Sequence, residues 1–426
     1  MDLGRNRSNS KLAWEKIMNK NRIPPIKFKI FLDHWSNTEL KEVKDVRDGT
    51  HSSPKYIDNG YPLVTSKNLT DSGLNLNDVS LISESDYNEI NKRSKVEVGD
   101  ILLGLIGTIG KPVLVEIDGF AIKNVGLIKN GGKIQNQFLL QYLKTNLFNK
   151  YIQIEMAGNT QKFLGLETLR NTKVPVPSPE EQSAIGSLFR NLDDLLSSYK
   201  ENLANYQSLK VTMLSRMFPK AGQIVPEIRL DGFEGEWEVQ TLKELACFSK
   251  GNGYTKNELV NSGKEIILYG RLYTNYQTVI SKVNTFVATV KANAVISKGG
   301  EVIVPASGES AEDISRASVV EKSGVILGGD LNIIYPDENK VDSIFLALTI
   351  SNGSQQKELI KRAQGKSVVH LRNNDLEKVV LHYPSMEEQR AIGTYFSNLD
   401  NLINSHQEKI SQLETLKKKL LQDMFI

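Results

Sequence analysis

Two stretches of the chain, PSPEEQSAIGSLFRNLDDLL at residues 177–196 and PSMEEQRAIGTYFSNLDNLI at residues 384–403, are nearly the same. The second follows the first by 207 residues, and this offset holds without a gap to Met217-Phe218 and Met424-Phe425. Self-similarity at a fixed spacing indicates an internal duplication. The sequence therefore predicts two related halves, each ending in a similar segment.

A weaker similarity marks the beginning of each half. IPPIKFKIFLDHWSNTELKEV (residues 23–43) resembles IVPEIRLDGFEGEWEVQTLKEL (residues 224–245). Trp35 and Trp237, which align here, are 202 residues apart, so the second half has gained a net five residues between this mark and the repeated segment. Each half is thus a divergent module followed by a similar tail.

Composition is that of a globular protein large enough for two domains. The chain has 426 residues, with 53 Lys and Arg against 50 Asp and Glu, so its weak positive charge neither demands nor excludes a polyanionic partner. Its single cysteine, Cys247, excludes an intrachain disulfide framework and a cysteine-rich zinc cluster. No apolar run approaches the roughly eighteen residues of a membrane span, and the polar start is unlike a signal peptide. We therefore expect a cytoplasmic protein.

Each repeated segment opens with residues that start a helix. Ser178 and Ser385 stand where an N-cap side chain accepts a hydrogen bond, and Glu181 and Glu388, three residues later, complete a capping-box pattern. Pro179 occupies the first turn, where its missing N–H costs nothing. One long helix is predicted to begin just after each serine.

Apolar residues then recur every three or four positions, as in an amphipathic helix. A helix of about 40 residues is roughly 60 Å long, and its apolar stripe needs a cover, for which the matching stripe of the other repeat is nearest. We predict an antiparallel coiled coil, interrupted at matching places by Asn202 and Lys409. The stripes comprise Ile185, Leu188, Leu192, Leu195, Tyr199, Leu203, Tyr206, Met213 and Met217, and Ile392, Tyr395, Leu399, Leu402, Ile410, Leu413, Leu420 and Met424.

The two modules, here called the first and second heads, are rich in short β-type runs such as YPLVTS and EVIVPAS, separated by Gly, Asn and Asp turns. NQFLLQYLKTNLF (136–148) and SIFLALTIS (343–351) are predicted to be helical. The fold class is therefore α/β (α+β): two similar β-rich domains with flanking helices, separated by a pair of long antiparallel coiled-coil helices, in a pseudo-two-fold internal duplication. The heads differ far more than the tails, which suggests that they recognise different things.

Polar and aromatic residues gather in Gly-rich loops at 48–56 and 65–70 in the first head, and at 250–258 and 269–277 in the second. Such side chains can discriminate base edges or contact phosphates, although ordinary solvated turns have the same composition. The candidate DNA-binding residues are Thr50, His51, Lys55, Lys67 and Asn68 in the first head, and Asn252, Tyr254, Lys256, Arg271, Tyr273, Asn275 and Gln277 in the second.

Motifs for catalysis or metal binding are unconvincing. GLIGTIGKP (104–112) has five rather than four residues between its outer glycines, and Pro112 replaces the Ser or Thr of a phosphate-binding loop, so a strand turn is favoured. PDENK (336–340) lacks a second acidic site. The five histidines show no spacing typical of a metal centre or triad. We expect a chain without a catalytic or metal site.

The paired EEQxAIGxxFxNLDxL pattern, the DGTH stretch (48–51), LDGFEGEWE (230–238) and the MFP ending of the first tail (217–219) together resemble the specificity subunits of type I restriction-modification systems. The resemblance covers nearly the whole chain. It implies that each head is a target-recognition domain that reads one half of a bipartite sequence in double-stranded DNA.

The resemblance also implies a domain plan. Residues 25–176 correspond to the first recognition domain, and residues 219–383 to a linker and the second. Residues 177–218 and 384–426 correspond to the family's conserved spacer helices. The resemblance does not assign residues 1–24, an N-terminal arm that we expect to be either a short helix that supports a partner subunit or a disordered segment.

Partners and cofactors follow from the same resemblance. Two modification subunits methylate adenine with S-adenosylmethionine, and motor-nuclease subunits, for which ATP and magnesium are expected, cleave unmodified DNA. This chain would bind no cofactor itself and contact no membrane. The residues expected to bind the modification subunits are Phe189, Leu192, Leu196, Phe396, Leu399 and Ile403.

Two other hypotheses stay open. A non-catalytic coiled-coil scaffold that binds only proteins would explain the helices, but not why the heads diverge more than the tails. A stand-alone nuclease or methyltransferase would need the motifs that are missing. The duplication, the divergent heads and the missing chemistry together favour the specificity subunit.

Overall fold

The computed structural model describes residues 24–156, 163–365 and 368–425, so nearly all of the expected N-terminal arm lies outside the described residues. The chain forms two compact units. Unit 1 comprises the residues up to Tyr199 together with those from Lys409 onward, and unit 2 comprises Lys200–Glu408. Both units mix helices and strands, as the predicted α/β (α+β) class requires.

Unit 1 contains the first head. Its two four-stranded sheets have the strand orders 121–122, 61–64, 80–82, 56–57 and 46–48, 125–128, 101–104, 112–114. The strands are Ser36–Glu39, Val46–Asp48, Tyr56–Ile57, Tyr61–Val64, Leu69–Thr70, Gly73–Leu74, Ser80–Ile82, Ile101–Gly104, Pro112–Leu114, Ala121–Ile122, Val125–Ile128 and Lys173–Val176. The helices are Leu40–Val43, Glu84–Ser94, Asn136–Leu143, Asn146–Met156 and Leu166–Arg170, with a 3-10 turn at Ser66–Asn68.

Unit 2 contains the second head, with two five-stranded sheets in the orders 246–250, 331–336, 301–305, 318–320, 279–280 and 259–260, 286–287, 264–267, 326–327, 295–296. The strands are Glu238–Thr241, Ala246–Lys250, Leu259–Val260, Lys264–Ile267, Val279–Ile280, Phe286–Val287, Val295–Ile296, Glu301–Pro305, Ser307–Gly308, Ser318–Val320, Ile326–Leu327, Leu331–Pro336, Val369–His370 and Val380–Tyr383. The helices are Leu242–Leu245, Arg271–Thr274, Ala311–Ile314, Ser343–Ile350, Gly353–Arg362 and Asn373–Leu376, with a 3-10 turn at Lys256–Glu258.

Most strand pairs in both heads are antiparallel. The stretch predicted to be helical at 136–148 is interrupted: one helix ends at Leu143 and the next begins at Asn146. GLIGTIGKP joins two antiparallel strands, so the predicted strand turn is confirmed. PDENK forms a turn in which the backbone N–H of Asn339 donates to the Asp337 carboxylate (3.1 Å).

The two repeated tails form the first long helix, Pro179–Arg216, and the second long helix, Met386–Asp423, each of 38 residues. Ser178 and Ser385 accept hydrogen bonds from the backbone N–H groups of Glu181 (3.3 Å) and Glu388 (3.4 Å), so the predicted N-caps are confirmed. The other half of the predicted capping box, in which each glutamate side chain accepts from the backbone N–H of the capping serine, is wrong. Both glutamate side chains turn inward to partners far along the chain, Trp35 and Arg229 respectively.

The long helices pair in opposite directions within each unit. In unit 1 the Lys417 ammonium bonds to the Asp193 carboxylate, and in unit 2 the Lys210 ammonium bonds to the Asp400 carboxylate. Also in unit 1, the ring centroids of Phe189 and Phe425 are 6.2 Å apart, so the chain advances from 189 to 193 opposite a segment that runs back from 425 to 417. In unit 2 the ring centroids of Tyr206 and His406 are 5.2 Å apart, so 206 to 210 likewise lies opposite 406 to 400. The predicted antiparallel pairing is confirmed within each unit.

The repeated EEQ motif ties each long helix to its head. Gln182 Oε1 accepts from the backbone N–H of Gln135 (2.8 Å), and Gln389 Oε1 accepts from that of Asp342 (2.9 Å). Gln135 and Asp342 are the N-cap residues of the helices Asn136–Leu143 and Ser343–Ile350. Because both glutamines are 1% exposed, these bonds lie in the core, where unpaired polar groups are costly. The motif is therefore duplicated for a structural reason.

Aromatic residues fill the core where each head meets the long helices. In unit 1 the ring centroids of Trp35 and Phe138 are 5.8 Å apart, and Phe425 lies 5.5 Å from Phe138. In unit 2 Trp237 and Phe345 are 5.7 Å apart, and Phe218 lies 5.8 Å from Phe345. The Met-Phe ending of the first tail thus belongs to the core of unit 2, and that of the second tail to the core of unit 1.

Candidate nucleic-acid interface

The DGTH loop of the first head is held by a network of charged and polar side chains. His51 lies between Asp48 (Nε2 to Oδ2, 2.9 Å) and Asn124 (Nδ1 to Oδ1, 2.8 Å). Arg93 donates to the other oxygen of Asp48 at 2.7 Å. Asn124 adopts a positive φ of 56°, which is uncommon for a residue other than glycine. The loop is therefore fixed, with its His51 side chain 60% exposed.

The base of this loop needs glycine in both heads. A Cβ on Gly49 would lie 2.3 Å from the carbonyl oxygen of Ile122, and one on Gly251, 202 residues later, 1.9 Å from that of Gly328. Both contacts are far shorter than any real Cβ makes, so only glycine allows the two backbones to approach. The two loops are thus equivalent in position although their sequences differ.

Cations surround the loop of the first head. Lys55 is exposed, and Lys67 lies 3.5 Å from the Asp78 carboxylate with its side chain 57% exposed. Lys123, which forms a parallel bridge with Thr50, donates from Nζ to Ser53 Oγ at 2.6 Å. Thr50, His51, Lys55 and Lys67 are accessible, so they stay predictions as DNA contacts. Lys123 and Arg93 also lie beside this loop, but they belong to no motif that the sequence shows.

Asn68 has a different role from the predicted one. It is 3% exposed, and its Oδ1 accepts from the backbone N–H of Thr65 (2.9 Å). Its Nδ2 donates to the carbonyl oxygens of Asn75 (3.2 Å) and Asp78 (2.9 Å). Since both ends of the amide are used inside the fold, Asn68 holds the loop in place and has no free group for a base.

In the second head the corresponding loop is organised around Tyr254. This residue is 7% exposed, and its hydroxyl accepts from the backbone N–H of Lys291 (2.7 Å). The Lys291 ammonium, 4.5 Å from the ring centroid, also pairs with Glu258 (2.6 Å). Tyr254 is therefore a packing residue rather than a base contact. Lys256 is exposed, and so is Asn252, whose Nδ2 donates to the carbonyl oxygen of Asn293 (3.1 Å).

The loop at 269–277 brings several candidates together. Arg271 donates from Nη2 to Gln277 Oε1 at 2.8 Å, so these two candidates are partners of each other. Asn275 is exposed, whereas Tyr273 is half-buried, with its ring centroid 6.1 Å from that of Tyr269. Burial raises the pKa of Tyr273. The loop therefore exposes Asn275 to a ligand, and Arg271 and Gln277 in part.

The six residues expected to bind a partner are part of this chain's own core. Phe189 and Phe396 are fully buried, in the cores of unit 1 and unit 2 respectively. No side chain of this set is more than 9% exposed, so a partner has little access to them. The expectation is not supported, because these residues lie on the buried side of each apolar stripe. The set is Phe189, Leu192, Leu196, Phe396, Leu399 and Ile403.

Four leucines on the long helices remain exposed instead. Leu195 and Leu402, which the predicted stripes placed inside, are each 43% exposed. Leu209 and Leu416 are 42% and 45% exposed. Each pair obeys the 207-residue repeat, and two heptads separate the two leucines of one helix. The helices therefore carry the same apolar surface twice, with Leu195 and Leu416 in unit 1 and Leu209 and Leu402 in unit 2.

No cluster of His, Cys, Asp or Glu among the described residues could hold a metal ion. Within the same part of the chain, no helix is long and apolar enough to cross a membrane.

The model of the type I restriction modification DNA specificity domain matches residues 33–205 and 234–415, one match for each half. The chain belongs to this family. The family consists of non-catalytic specificity subunits, and the catalytic activities reside on other subunits. The two matches also confirm the internal duplication deduced from the sequence.

Specificity subunits of known systems are similar along most of the chain. The putative type I restriction enzyme MjaX specificity subunit of Methanocaldococcus jannaschii is 24% identical over 412 residues, covering 91% of this chain and 92% of its own. The MjaVIII specificity subunit of the same organism is 22% identical over 343 residues, covering 78% and 79%. The S subunit of M. genitalium has a similar structure, with a TM-score of 0.60 at 15% identity, over 95% of this chain and 99% of its own. This structural likeness confirms the specificity-subunit fold.

Proposed function

We propose that this chain directs a type I restriction-modification complex to a bipartite DNA target. The first head reads one half of the target and the second head reads the other. Two modification subunits dock on the chain and methylate adenine with S-adenosylmethionine. With motor-nuclease subunits that use ATP and magnesium, the complex cleaves unmodified DNA. The cytoplasm is the compartment where these partners and the DNA meet.

The observation that carries this proposal is a repeated scaffold with unlike loops. The bonds of Gln182 and Gln389 recur with the same geometry 207 residues apart. The loops at equivalent positions are built differently: His51 and Arg93 surround Asp48 in the first head, while Lys291 covers Tyr254 in the second. Two reading surfaces of different chemistry on one scaffold suit an asymmetric, two-part target.

The long helices suit the role of a spacer. Each has 38 residues, which corresponds to about 57 Å at 1.5 Å per residue. One ion pair joins the two helices within each unit, Asp193 with Lys417 in unit 1 and Lys210 with Asp400 in unit 2. A stiff pair of this length would set a constant gap between two half-sites about one duplex turn, or ~34 Å, apart.

The repeated leucine surface supports two copies of one partner. Under the 207-residue repeat Leu195 corresponds to Leu402, and Leu209 corresponds to Leu416. A subunit that binds Leu195 and Leu416 of unit 1 would therefore find an equivalent pair, Leu402 and Leu209, in unit 2. A patch of leucines that is more than two-fifths exposed among the described residues is accessible to a protein partner. We assign the modification subunits to these leucines in place of the buried residues predicted from the sequence.

Long-read methylome sequencing of cells that express this chain with its modification partner tests the proposal. The expected result is a single methylated motif of two specified halves separated by an unspecified gap. Exchanging the first head alone, at residues 25–176, should change one half and spare the other. A scaffold that binds only proteins would give no chain-dependent methylated motif, and that result would overturn the proposal.

A further inference from the structure

The guanidinium of Arg271 is half-buried among neutral oxygens. Its Nη1 donates to Asn284 Oδ1 (2.9 Å), and its Nη2 donates to Gln277 Oε1 (2.8 Å) and to the carbonyl oxygen of Lys282 (2.9 Å). Its Nε is buried without a hydrogen-bond partner in the described part of the chain. Burial lowers the pKa of Arg271, and no carboxylate opposes that effect. The second head therefore holds a positive charge that its own described residues do not neutralise.

This guanidinium determines how the two amides are oriented. A guanidinium has only donors, so the amide atoms of Gln277 and Asn284 that face it must be oxygens. The NH₂ group of each amide consequently points away from Arg271. Neither amide nitrogen donates to another described residue, and Asn284 is exposed while Gln277 is half-buried. The loop thus presents two oriented amide donors beside an uncompensated cation.

The chemistry of base edges selects what this arrangement can recognise. Adenine offers one acceptor and one donor in the major groove, so only one of the two amide donors would find an acceptor there. Cytosine offers a donor, and thymine one acceptor beside a methyl group. Guanine offers two neighbouring acceptors, N7 and O6, which match two amide donors and attract a cation.

We propose that Gln277 and Asn284 recognise the N7 and O6 edge of a guanine in the half-site read by the second head, with Arg271 as the positioning residue. The proposal rests on the proposed function, since it assigns a base to one of the two reading surfaces. Asn284 lies outside the Gly-rich loops, and its hydrogen bond with Arg271 connects it to the loop at 269–277.

Binding of defined duplexes to the complex of this chain with its modification subunit tests the proposal. Once the methylome has given the second half-site, each guanine in turn is replaced by 7-deazaguanine, which lacks the N7 acceptor. Inosine, which keeps N7 and O6, serves as the control base. At one guanine we expect 7-deazaguanine to weaken binding about tenfold and inosine to leave it nearly unchanged.

Gln277→Glu and Asn284→Asp keep an oxygen toward Arg271 and replace the donor by an acceptor. Each should weaken binding of the guanine duplex about tenfold, and the variant whose amide faces N7 should also abolish discrimination against 7-deazaguanine. Asn261→Asp, on an exposed turn of the same head, changes the charge equally and should preserve that discrimination. Arg271→Met should relax the choice at the same base, because the amides are then free to rotate.

Several results would overturn the inference. One is a second half-site without guanine; another is an equal loss of affinity for guanine and 7-deazaguanine duplexes in the Glu and Asp variants, which would indicate a phosphate contact. A bipartite motif whose guanine choice survives all variants would refute this inference alone. Absence of a bipartite motif with the unmodified chain would refute the proposed function itself.

Discussion

The Arg229 guanidinium donates two hydrogen bonds to the buried carboxylate of Glu388, one of 2.7 Å to Oε1 and one of 2.6 Å to Oε2. Glu388 is 1% exposed. The equivalent residue of the first repeat, Glu181, is 2% exposed and instead accepts a hydrogen bond from Trp35 Nε1 at 2.9 Å. One position of a duplicated motif is therefore anchored by an ion pair in unit 2 and by an indole in unit 1.

Arg229→Ala should destabilise unit 2 by about 3–5 kcal/mol, because it leaves a carboxylate buried without its cation. Lys220→Ala, which removes an exposed partner of Glu227, should cost less than about 1 kcal/mol. Urea unfolding of both variants measures the difference. Adding Glu388→Gln to Arg229→Ala should recover part of the loss. Equal costs for Arg229→Ala and Lys220→Ala would contradict the buried pair.

The two equivalent tryptophans should respond differently to replacement. Trp35 Nε1 donates to Glu181, whereas Trp237 Nε1 is buried with no hydrogen-bond partner among the described residues. Both Trp→Phe changes remove a similar apolar area, but only Trp35→Phe leaves a buried acceptor, Glu181, without its donor. Trp35→Phe should therefore lower the free energy of unfolding by about 1–3 kcal/mol more than Trp237→Phe does. Thermal or urea unfolding checks this. Equal losses of unfolding free energy in the two variants would mean that the hydrogen bond from Trp35 to Glu181 makes no net contribution to stability.

Stability should depend on pH through Glu181. Burial raises the pKa of the Glu181 carboxyl, an effect that the hydrogen bond from Trp35 opposes. The folded state therefore holds this proton more tightly than the unfolded state. The resulting stability is complete below the unfolded pKa and is lost as pH rises through the raised folded pKa.

Glu181→Gln keeps the acceptor for Trp35 and removes the charge. Compared with the unmodified chain, this variant should gain stability as pH rises from the unfolded pKa of a glutamate through the raised folded pKa of Glu181, and the gain should then level off, with none at the acid end. Urea unfolding at several pH values gives this difference, in which the other titrating groups cancel. A difference that stayed constant across the range would show that Glu181 does not titrate differently on folding.

The exposed leucines should control assembly. Leu195→Lys with Leu416→Lys should remove the docking surface of unit 1 and lower the number of bound modification subunits from two to one. Leu209→Lys with Leu402→Lys should do the same through unit 2. Native mass spectrometry counts the subunits, and circular dichroism verifies that the helices remain. Asn202→Lys, an exposed change on the same helix, is the matched control and should leave two bound.

The gap between the half-sites should follow helix length. Four residues inserted in each long helix, between Asp193 and Lys210 and between Asp400 and Lys417, preserve both cross-helix ion pairs. The insertion adds about 6 Å, close to two base-pair steps. Methylome sequencing should show the gap longer by about two base pairs with both halves unchanged. Altered halves with an unaltered gap would refute the spacer.

Periodicity and repetition made the long helices predictable. Their starts after Ser178 and Ser385 depend on local hydrogen bonds, and their stripes on a spacing that any amphipathic helix shows. Which side of a stripe is covered is a different matter. Leu195 and Leu402 fit the apolar pattern as well as Leu192 and Leu399 do, yet the former pair is exposed and the latter buried. Heptad position alone could not separate them, because each unit covers only one side of the stripe.

For the candidate base contacts too, the sequence located the region, and the tertiary structure decided the role of each side chain. Composition located the loops, but Asn68 and Tyr254 are buried and serve the fold, and Asn284 came from outside the selected loops. A side chain's role in a loop depends on which distant atoms it meets, and those contacts are long-range.

The sequence by itself determined the duplication, the two long helices, their antiparallel pairing and the specificity-subunit family, because these rest on spacing and on local hydrogen bonding. Only the tertiary structure decided that Glu388 pairs with Arg229 while Glu181 meets Trp35, and that Arg271 orients Gln277 and Asn284. Such partners are brought together by folding over many residues of chain, and no local pattern encodes which buried donor reaches which acceptor.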